Sequence, residues 1–244
     1  MSKSISVKTA EVEKLSHIDY FNIAVSVDCV IFCYDSKELK VLLIKSDLEE
    51  FKGLYSLLGD LVRPDEDLDS ASYRILSERT GMNDVFLEQV HTFGRTNRHP
   101  SGRVITTAYY ALIDVTHQNL QLTHNDLSWH PVRTIRKLAF DHKEILDACL
   151  ERLKEDALHR PIVFNMLPEK FSLRELQDLF QAILGLKLDR RNFRKKIAIK
   201  DWLVDLNQLE DDVPHRPGKL YSLKTKLRKN ISRKKGILRS VNLF

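Results

Sequence analysis

The chain has 244 residues, of which 43% are hydrophobic, and its three cysteines form no CxxC pair. This length and composition exclude a disordered chain and a small disulfide scaffold, and the odd number of cysteines predicts reduced thiols in a cytoplasmic protein. No run approaches the roughly 18 apolar residues of a membrane span, and the first residues lack the apolar core of a signal peptide, so we expect no membrane partner.

The net charge of +5 is distributed unevenly along the chain. Residues 185–244 hold 17 Lys and Arg against 6 Asp and Glu, a net charge of +11, whereas residues 1–184 hold 22 against 28, a net charge of −6. Such segregation is typical of proteins that place one module on a polyanion such as nucleic acid. The alternative is a solvated, lysine-rich tail.

The first two thirds of the chain predict a mixed sheet with two helices. Residues 23–34 and 39–45 are apolar, β-branched runs on either side of the polar stretch DSKE, which predicts a hairpin. A helix is expected from about Asp67 to Thr80, ending at Gly81. Further strands are predicted at 54–59, 85–94, 103–115 and around SWHPV, and a second helix at about 142–157. This order indicates an α+β fold in which helices cover a sheet.

The pattern changes after Pro161. Ser172 and Glu175 form a capping box before a helix that ends at Gly185, and its apolar face comprises Leu173, Leu176, Leu179, Phe180 and Ile183. A basic helix of residues 190–200 and two strands around a polar turn follow, an order that predicts a winged helix-turn-helix. We therefore expect an N-terminal arm (1–19), a first domain (20–157), a winged helix (158–226) and a basic tail (227–244).

The basic helix is the candidate recognition helix for DNA. Phe193 and Ile197 form its apolar side, and the residues expected to face outward are Arg190, Arg191, Asn192, Arg194, Lys195 and Lys196. Arginine can pair with guanine and asparagine with adenine, while lysines meet phosphates. His215, Arg216 and Lys219 in the wing are expected to assist. A solvated basic face on a protein-interaction domain, or RNA binding, are the alternatives.

Residues 59–82, GDLVRPDEDLDSASYRILSERTGM, resemble the Nudix box of nucleoside-diphosphate-X hydrolases. That box reads G, five residues, E, seven residues, then R-E-U-x-E-E-x-G-U, where U is apolar. The positions that match are Glu66, Arg74, Leu76, Glu78, Gly81 and Met82. The resemblance covers roughly residues 20–155 and implies an α/β/α sandwich around a mixed sheet.

Three positions depart from the box, and two of them bear on catalysis. Asp60 stands at the first glycine, while Ile75 and Arg79 stand at two of the glutamates that hold Mg²⁺ in the family. Residues i and i+4 share a helix face, so we expect a guanidinium and an alkyl group where carboxylates would face one ion. The departures predict no metal, no cofactor and no hydrolysis. An unusual site built from Glu66 or Asp60, and with it an active Nudix hydrolase, is the alternative.

The loop GRTNRHPSGR (94–103) is similar to a loop of ADP-ribose-handling relatives. Its arginines, Arg95, Arg98 and Arg103, are candidate effector-binding residues, together with Arg79, because guanidinium groups suit phosphates. The alternative is that these arginines only solubilise a hairpin loop.

A degenerate Nudix domain followed by a winged helix resembles the Nudix-related transcriptional regulators, the NrtR-type and arabinose-responsive AraR-type repressors. The matching stretches include VDCVIFCYDSKELKVLLIK and MLPEKFSLRELQDLFQAILGLKLDRRNFRKKI. The resemblance implies a repressor that binds operator DNA and senses ADP-ribose or a pentose sugar, and MLP-x-x-F and RNFRKK look closer to the sugar-responsive branch. A homodimer on a pseudo-palindromic operator is expected. Besides the regulator and the hydrolase, the third possibility is a protein-binding scaffold, which predicts no affinity for duplex DNA.

Overall fold

The computed structural model describes residues 23–83, 85–114, 126–211 and 216–227. The expected N-terminal arm and almost all of the expected basic tail lie outside these residues. Within them, no helix is both long and apolar enough to cross a membrane.

A seven-stranded mixed sheet forms the first domain. Its strands are β1 (Ala24–Tyr34), β2 (Leu39–Lys45), β3 (Tyr55–Ser56), β4 (Leu58–Leu61), β5 (Phe86–Phe93), β6 (Val104–Ile113) and β7 (Leu127–Pro131). The order β3-β2-β1-β6-β5 forms the main path, with β4 also paired to β1 and β7 to β2. Strands β1 and β6 run parallel, and the other pairs are antiparallel. The expected hairpin of β1 and β2 is confirmed.

Alternating residues of β1 are buried on opposite faces of the sheet, because successive side chains of a strand point to opposite sides. Val27 and Cys29 pack with helix α1 (Leu68–Thr80) on one face. Val30 and Phe32 lie in the cluster that contains helix α2 (His142–His159) on the other. A helix therefore covers each face, which confirms the expected α/β/α sandwich with a mixed sheet.

The winged helix consists of α3 (Leu173–Leu184), α4 (Arg190–Lys200) and a small sheet of β8 (Phe171–Ser172), β10 (Lys219–Leu223) and β9 (Leu203–Leu209), in that spatial order. Helix α3 begins at the expected capping box, in which the Ser172 side chain accepts from Glu175 N and the Glu175 side chain accepts from Ser172 N. It ends at Gly185, whose φ of 69° is the left-handed conformation that glycine adopts without strain.

One apolar core runs through both domains. The cluster that contains Phe32 and Tyr110 of the sheet continues through the α2 side chains and the short 3-10 helix Pro161–Met166 into Phe180 of α3 and Phe193 of α4. Between β6 and that 3-10 helix, and between α2 and α3, the backbones also approach closely. The winged helix therefore packs against the sheet and α2 and is not joined to them by a flexible linker alone.

Candidate functional sites

Helix α4 offers an exposed basic face. Its first turn is fixed by the Asp189 side chain, which accepts from Asn192 N at 2.8 Å, and the helix is held to the domain by Phe193 and Ile197, its two buried residues. The six polar residues named for DNA contact, Arg190, Arg191, Asn192, Arg194, Lys195 and Lys196, are all exposed. In the part of the chain that the structure describes, no carboxylate forms an ion pair with these cations.

A groove of about 730 Å³ runs between α4, the beginning of α3 and the wing. Arg190 and Arg194 line it from α4, and Arg216 and Lys219 from the wing. Lys219 already pairs with Asp205 at 2.8 Å, and His215 lies outside the described residues. Arg174, which the sequence analysis did not name, also lines the groove; its place in the first turn of α3, the helix before the candidate recognition helix, was the available signal.

The carboxylates that remain from the Nudix box are engaged by arginines. The Arg74 guanidinium donates to Glu66 from Nη2 at 2.6 Å and from Nε at 2.9 Å, and its Nη1 donates to Glu78 at 3.2 Å. Arg63 donates to Glu66 through its backbone N–H and to Glu78 through its side chain. Hydrogen bonding to Arg74 lowers the pKa of Glu66 to about 2, against the opposing effect of burial. Glu66 is therefore ionised, and the carboxylates of both residues are paired with arginine side chains of the protein.

The structure corrects the expectation that positions 75 and 79 face one ion site. Ile75 is 1% exposed and packs with Val27, Cys29 and Tyr109 in the core between α1 and the sheet. Arg79 is half-buried on the same helix. A side chain at position 75 is thus directed at the sheet, and isoleucine there contributes to the core. Among the described residues, no three His, Cys, Asp or Glu side chains are grouped so that they could hold a metal ion.

The three loop arginines are each bound by protein groups. Arg95 Nη2 donates to both carboxylate oxygens of Glu144, at 2.5 and 2.6 Å, and the Arg95 side chain is still 68% exposed. Arg98 donates to Asp141 through two atoms at 2.8 and 2.7 Å, and its side chain is only 3% exposed. Arg103 donates to the carbonyls of Gly94 and Arg95 and so closes the loop. Of the three, Arg95 is the most accessible to a ligand.

A buried polar network that sequence reasoning missed centres on Asp28. Its carboxylate accepts from Thr106 Oγ1 at 2.8 Å and lies 3.5 Å from both Arg98 Nη2 and His142 Nε2. Gly59 lies against it, because a Cβ at that position would be 2.2 Å from Asp28 Oδ1. The only sequence signal for this network was a charged residue, Asp28, inside the largely apolar strand β1. Through Arg98, the network connects the loop of residues 94–103 to the sheet.

His142 is the neutral member of this network. Its Nδ1 accepts from Leu57 N at 3.0 Å, so the proton of the neutral ring is assigned to Nε2, which faces Asp28. Burial lowers the pKa of His142, and the negative charge of Asp28 opposes that effect only in part. The ring therefore stays neutral in the folded protein and anchors the start of α2 to the end of β3.

A Nudix-type sandwich whose remaining box carboxylates are bound by arginines, joined through a common core to a winged helix with an exposed basic face, defines a ligand-responsive regulator of transcription. The matches to family models agree with this class. Residues 23–149 match the NUDIX domain, and residues 163–223 match the NrtR DNA-binding winged helix domain.

Similar proteins extend the match over most of the chain. An "ADPR responsive transcriptional repressor NtrR" of Acinetobacter baylyi is 32% identical over 208 residues, 83% of each chain. The crystal structure of Shewanella oneidensis NrtR complexed with a 27mer DNA has a TM-score of 0.73 and 32% identity, covering 82% of this chain and 93% of that one. An ADP-ribose pyrophosphatase of Methanocaldococcus jannaschii is 30% identical over 129 residues, 52% of this chain and 73% of that protein. The chain belongs to the NrtR family of Nudix-related transcriptional regulators.

The expected closeness to the sugar-responsive branch is not what these relatives show. The winged-helix model that matches is that of NrtR, and the repressor from Acinetobacter baylyi is named for ADP-ribose.

Proposed function

We propose that the chain is an ADP-ribose-responsive repressor that binds operator DNA as a homodimer. In this proposal residues 20–157 sense the effector and residues 158–226 bind DNA. The observation that carries it is the exposed face of α4, where five cations and Asn192 stand together without carboxylate partners among the described residues. Such a face costs self-repulsion in a free protein and is neutralised by the phosphates of a duplex.

The geometry supports insertion of α4 into the major groove. Two apolar contacts hold its inner side, so its outer side can enter the groove without losing core packing. Arg190 and Arg194 would then contact the same DNA strand as Arg174 and the wing residues, which line the other side of the 730 Å³ groove. A dimer would place two such helices about one helical turn of DNA apart, or a multiple of it, on a pseudo-palindromic site.

For the effector we propose the surface beside Arg95. A pocket of about 320 Å³, lined by His91, Phe93, Arg95 and Glu144 among others, opens between the end of β5 and α2. Its size suits part of a ligand, such as one ribose with its phosphate. A diphosphate could displace Glu144 from Arg95, because charge-assisted bonds to phosphate match that guanidinium equally well. Arg98 and Arg103 hold the loop in place, and Arg79 remains a candidate on the opposite face.

We also propose that the domain does not hydrolyse its ligand. Arg74 and Arg63 occupy the oxygens of Glu66 and Glu78 that a divalent ion would need. Metal binding would have to break these bonds and place a cation beside two guanidinium groups. The likeness to an ADP-ribose pyrophosphatase is the observation that favours the alternative, an active hydrolase.

The test is a titration of the purified protein with duplex DNA from upstream of its own gene and with a scrambled duplex, each at several salt concentrations. We expect preference for the upstream duplex, a steep loss of affinity with salt, and a change in affinity on adding ADP-ribose but not pentoses. Arg194→Ala should weaken binding, whereas Lys52→Ala, on the exposed surface of the sensor domain, should not. Equal affinity for both duplexes, with no response to any ligand, would contradict the proposal.

The hydrolase alternative is tested with ADP-ribose and Mg²⁺. We expect no turnover above the buffer control for the natural protein. Product formation at an ordinary enzyme rate, about 1 s⁻¹ or faster, would establish the enzyme instead.

A further inference from the structure

A largely buried ionic cluster lies where α2 ends. Asp156 accepts from Tyr110 Oη at 2.6 Å and from Arg152 Nε at 3.0 Å. Arg160 donates from Nη1 and Nη2 to the two oxygens of Glu88, at 3.0 and 2.9 Å, and from Nη1 to Asp156, also at 3.0 Å. The Asp156 and Glu88 side chains are 7% and 14% exposed. Two carboxylates and two guanidinium groups are thus fixed in one arrangement.

The cluster stands at the junction of the two domains. Arg160 is the residue that ends α2, and Pro161 after it begins the 3-10 helix that leads into the winged helix. The Arg160 backbone is extended, with φ −127° and ψ 145°, as is usual before proline, and its N–H donates to Asp156 O at 2.7 Å. Its side chain is bound to Glu88 of β5, so backbone and side chain together set the direction in which the chain leaves the sensor domain.

The chemistry of the cluster favours orientation over stability. A buried ion pair adds little net stability compared with apolar residues of the same size, because both charges lose their hydration. A bidentate guanidinium, however, fixes the angle between the groups that it joins. Here it joins a strand of the sensor sheet to the first residues that lead out of α2.

Strand β5 also leads into the loop of residues 94–103, beside which we propose that the effector binds. Strand β5 carries Glu88 near its beginning and runs into the loop that holds Arg95, which in turn binds Glu144 near the start of α2. Helix α2 is therefore tied to β5 and its loop at both ends. A ligand that separates Arg95 from Glu144 would release the start of α2, while the ionic cluster at Asp156 and Arg160 keeps the end of α2 fixed. Helix α2 could then rotate about its fixed end.

We propose that Glu88, Asp156 and Arg160 form a positioning site that sets the orientation of the winged helix on the sensor domain and transmits effector binding to it. The inference rests on the proposed function, since it assigns to these residues the coupling between effector and DNA.

The first experiment compares full-length Glu88→Gln with Glu151→Gln. The control removes a carboxylate from an exposed position of α2, where Glu151 is 68% exposed and pairs only with Lys154 among the described residues. Each variant is titrated with the upstream and scrambled duplexes, with and without ADP-ribose, and its ADP-ribose affinity is measured by calorimetry. Arg160→Lys, which keeps the charge and loses the bidentate geometry, is the second test variant.

We expect the natural protein and Glu151→Gln to change operator affinity by about 5- to 150-fold on adding ADP-ribose. Glu88→Gln and Arg160→Lys should bind ADP-ribose and scrambled DNA within about twofold of the natural protein, while their response to ADP-ribose falls below about twofold. A full response in both variants overturns the inference and leaves the proposed function intact. Absence of any response in the natural protein contradicts the proposed function itself.

A direct measure of orientation covers the case in which Glu88→Gln folds poorly. Cys29, Cys33 and Cys149 are buried, so spin labels can be attached at introduced Glu50→Cys and Val204→Cys, on exposed positions of the two domains. Doubly labelled chains are diluted with unlabelled protein, so that distances within one chain dominate. Arg160→Lys should broaden or shift the distance distribution at unchanged melting temperature. An unchanged distribution would show that the cluster contributes to stability alone.

Discussion

Phe193 is predicted to be the side chain on which the packing of helix α4 most depends. It is 6% exposed and meets Phe180 of α3 edge-on, with ring centroids 5.5 Å apart. A buried phenyl side chain removes about 150–200 Å² from water, and at about 25 cal/mol per Å² this is worth roughly 4–5 kcal/mol. Alanine keeps only the Cβ, so we expect Phe193→Ala to lower the free energy of unfolding by about 3–5 kcal/mol.

The matched control lies on the same helix. Ile199 is 75% exposed, so Ile199→Ala should change the free energy of unfolding by no more than about 0.5 kcal/mol. Both substitutions remove apolar atoms at helical positions, and only the first removes them from the core.

The assay is urea unfolding followed by tryptophan fluorescence. The chain has two tryptophans, and Trp202 lies two residues after the end of α4, 8% exposed and in edge contact with Phe164. In a Trp129→Phe background, Trp202 is the sole reporter of the winged helix. A loss below about 1 kcal/mol for Phe193→Ala, or equal losses for the two variants, would refute the assignment of Phe193 as the anchor of α4.

Three further predictions concern the sensor domain. Stability should fall as the pH drops below about 6.5, by up to ~1.4 kcal/mol per unit, because unfolded His142 takes up a proton that the buried ring, with its lowered pKa, resists. His142→Asn should flatten that part of the unfolding profile between pH 7 and 5. Gly59→Ala should lower the free energy of unfolding in urea by about 1–3 kcal/mol, because its Cβ would overlap the Asp28 carboxylate. Arg74→Ala should cost about 3–5 kcal/mol at pH 7, because Glu66, 12% exposed, would be left charged and without its main partner.

Each of these predictions has a clear contrary result. A pH profile that is the same with and without His142 would mean that its neutral form contributes nothing to stability. A fully stable Gly59→Ala protein would show that β4 can move away from Asp28 at no cost. Undiminished stability of Arg74→Ala at pH 7 would imply that water or Arg63 replaces the lost guanidinium at Glu66.

Local chemistry made most of the fold predictable from the sequence. The caps at Ser172 and Gly185, the glycine at the end of α1 and the alternation in β1 each depend on neighbours within a few residues. The same reasoning placed the residues of α4 that we propose to contact DNA on its exposed face, since two apolar residues four apart define the opposite side.

The remaining features depend on pairings between distant segments. Asp28 meets Thr106 and His142, which are 78 and 114 residues away, and no local pattern announces such a contact. The direction of Ile75 was misjudged because the motif gives the residue types of the helix but not its rotation on the sheet. The partners of Arg95 and Arg98 are likewise distant: Glu144, in the first turn of α2, is 49 residues farther along, and Asp141, just before α2, is 43 residues farther along.

The shared core has a consequence for exchanging parts between relatives. A winged helix cut out after Arg160 would leave bare the apolar surface by which Met166 and Phe180 pack toward the sheet and α2. Such a fragment would carry an aggregation-prone patch into solution. A chimera with a new sensor domain must therefore include a helix in the place of α2 whose apolar surface is complementary to that of the winged helix. The two domains of this chain can be exchanged only together.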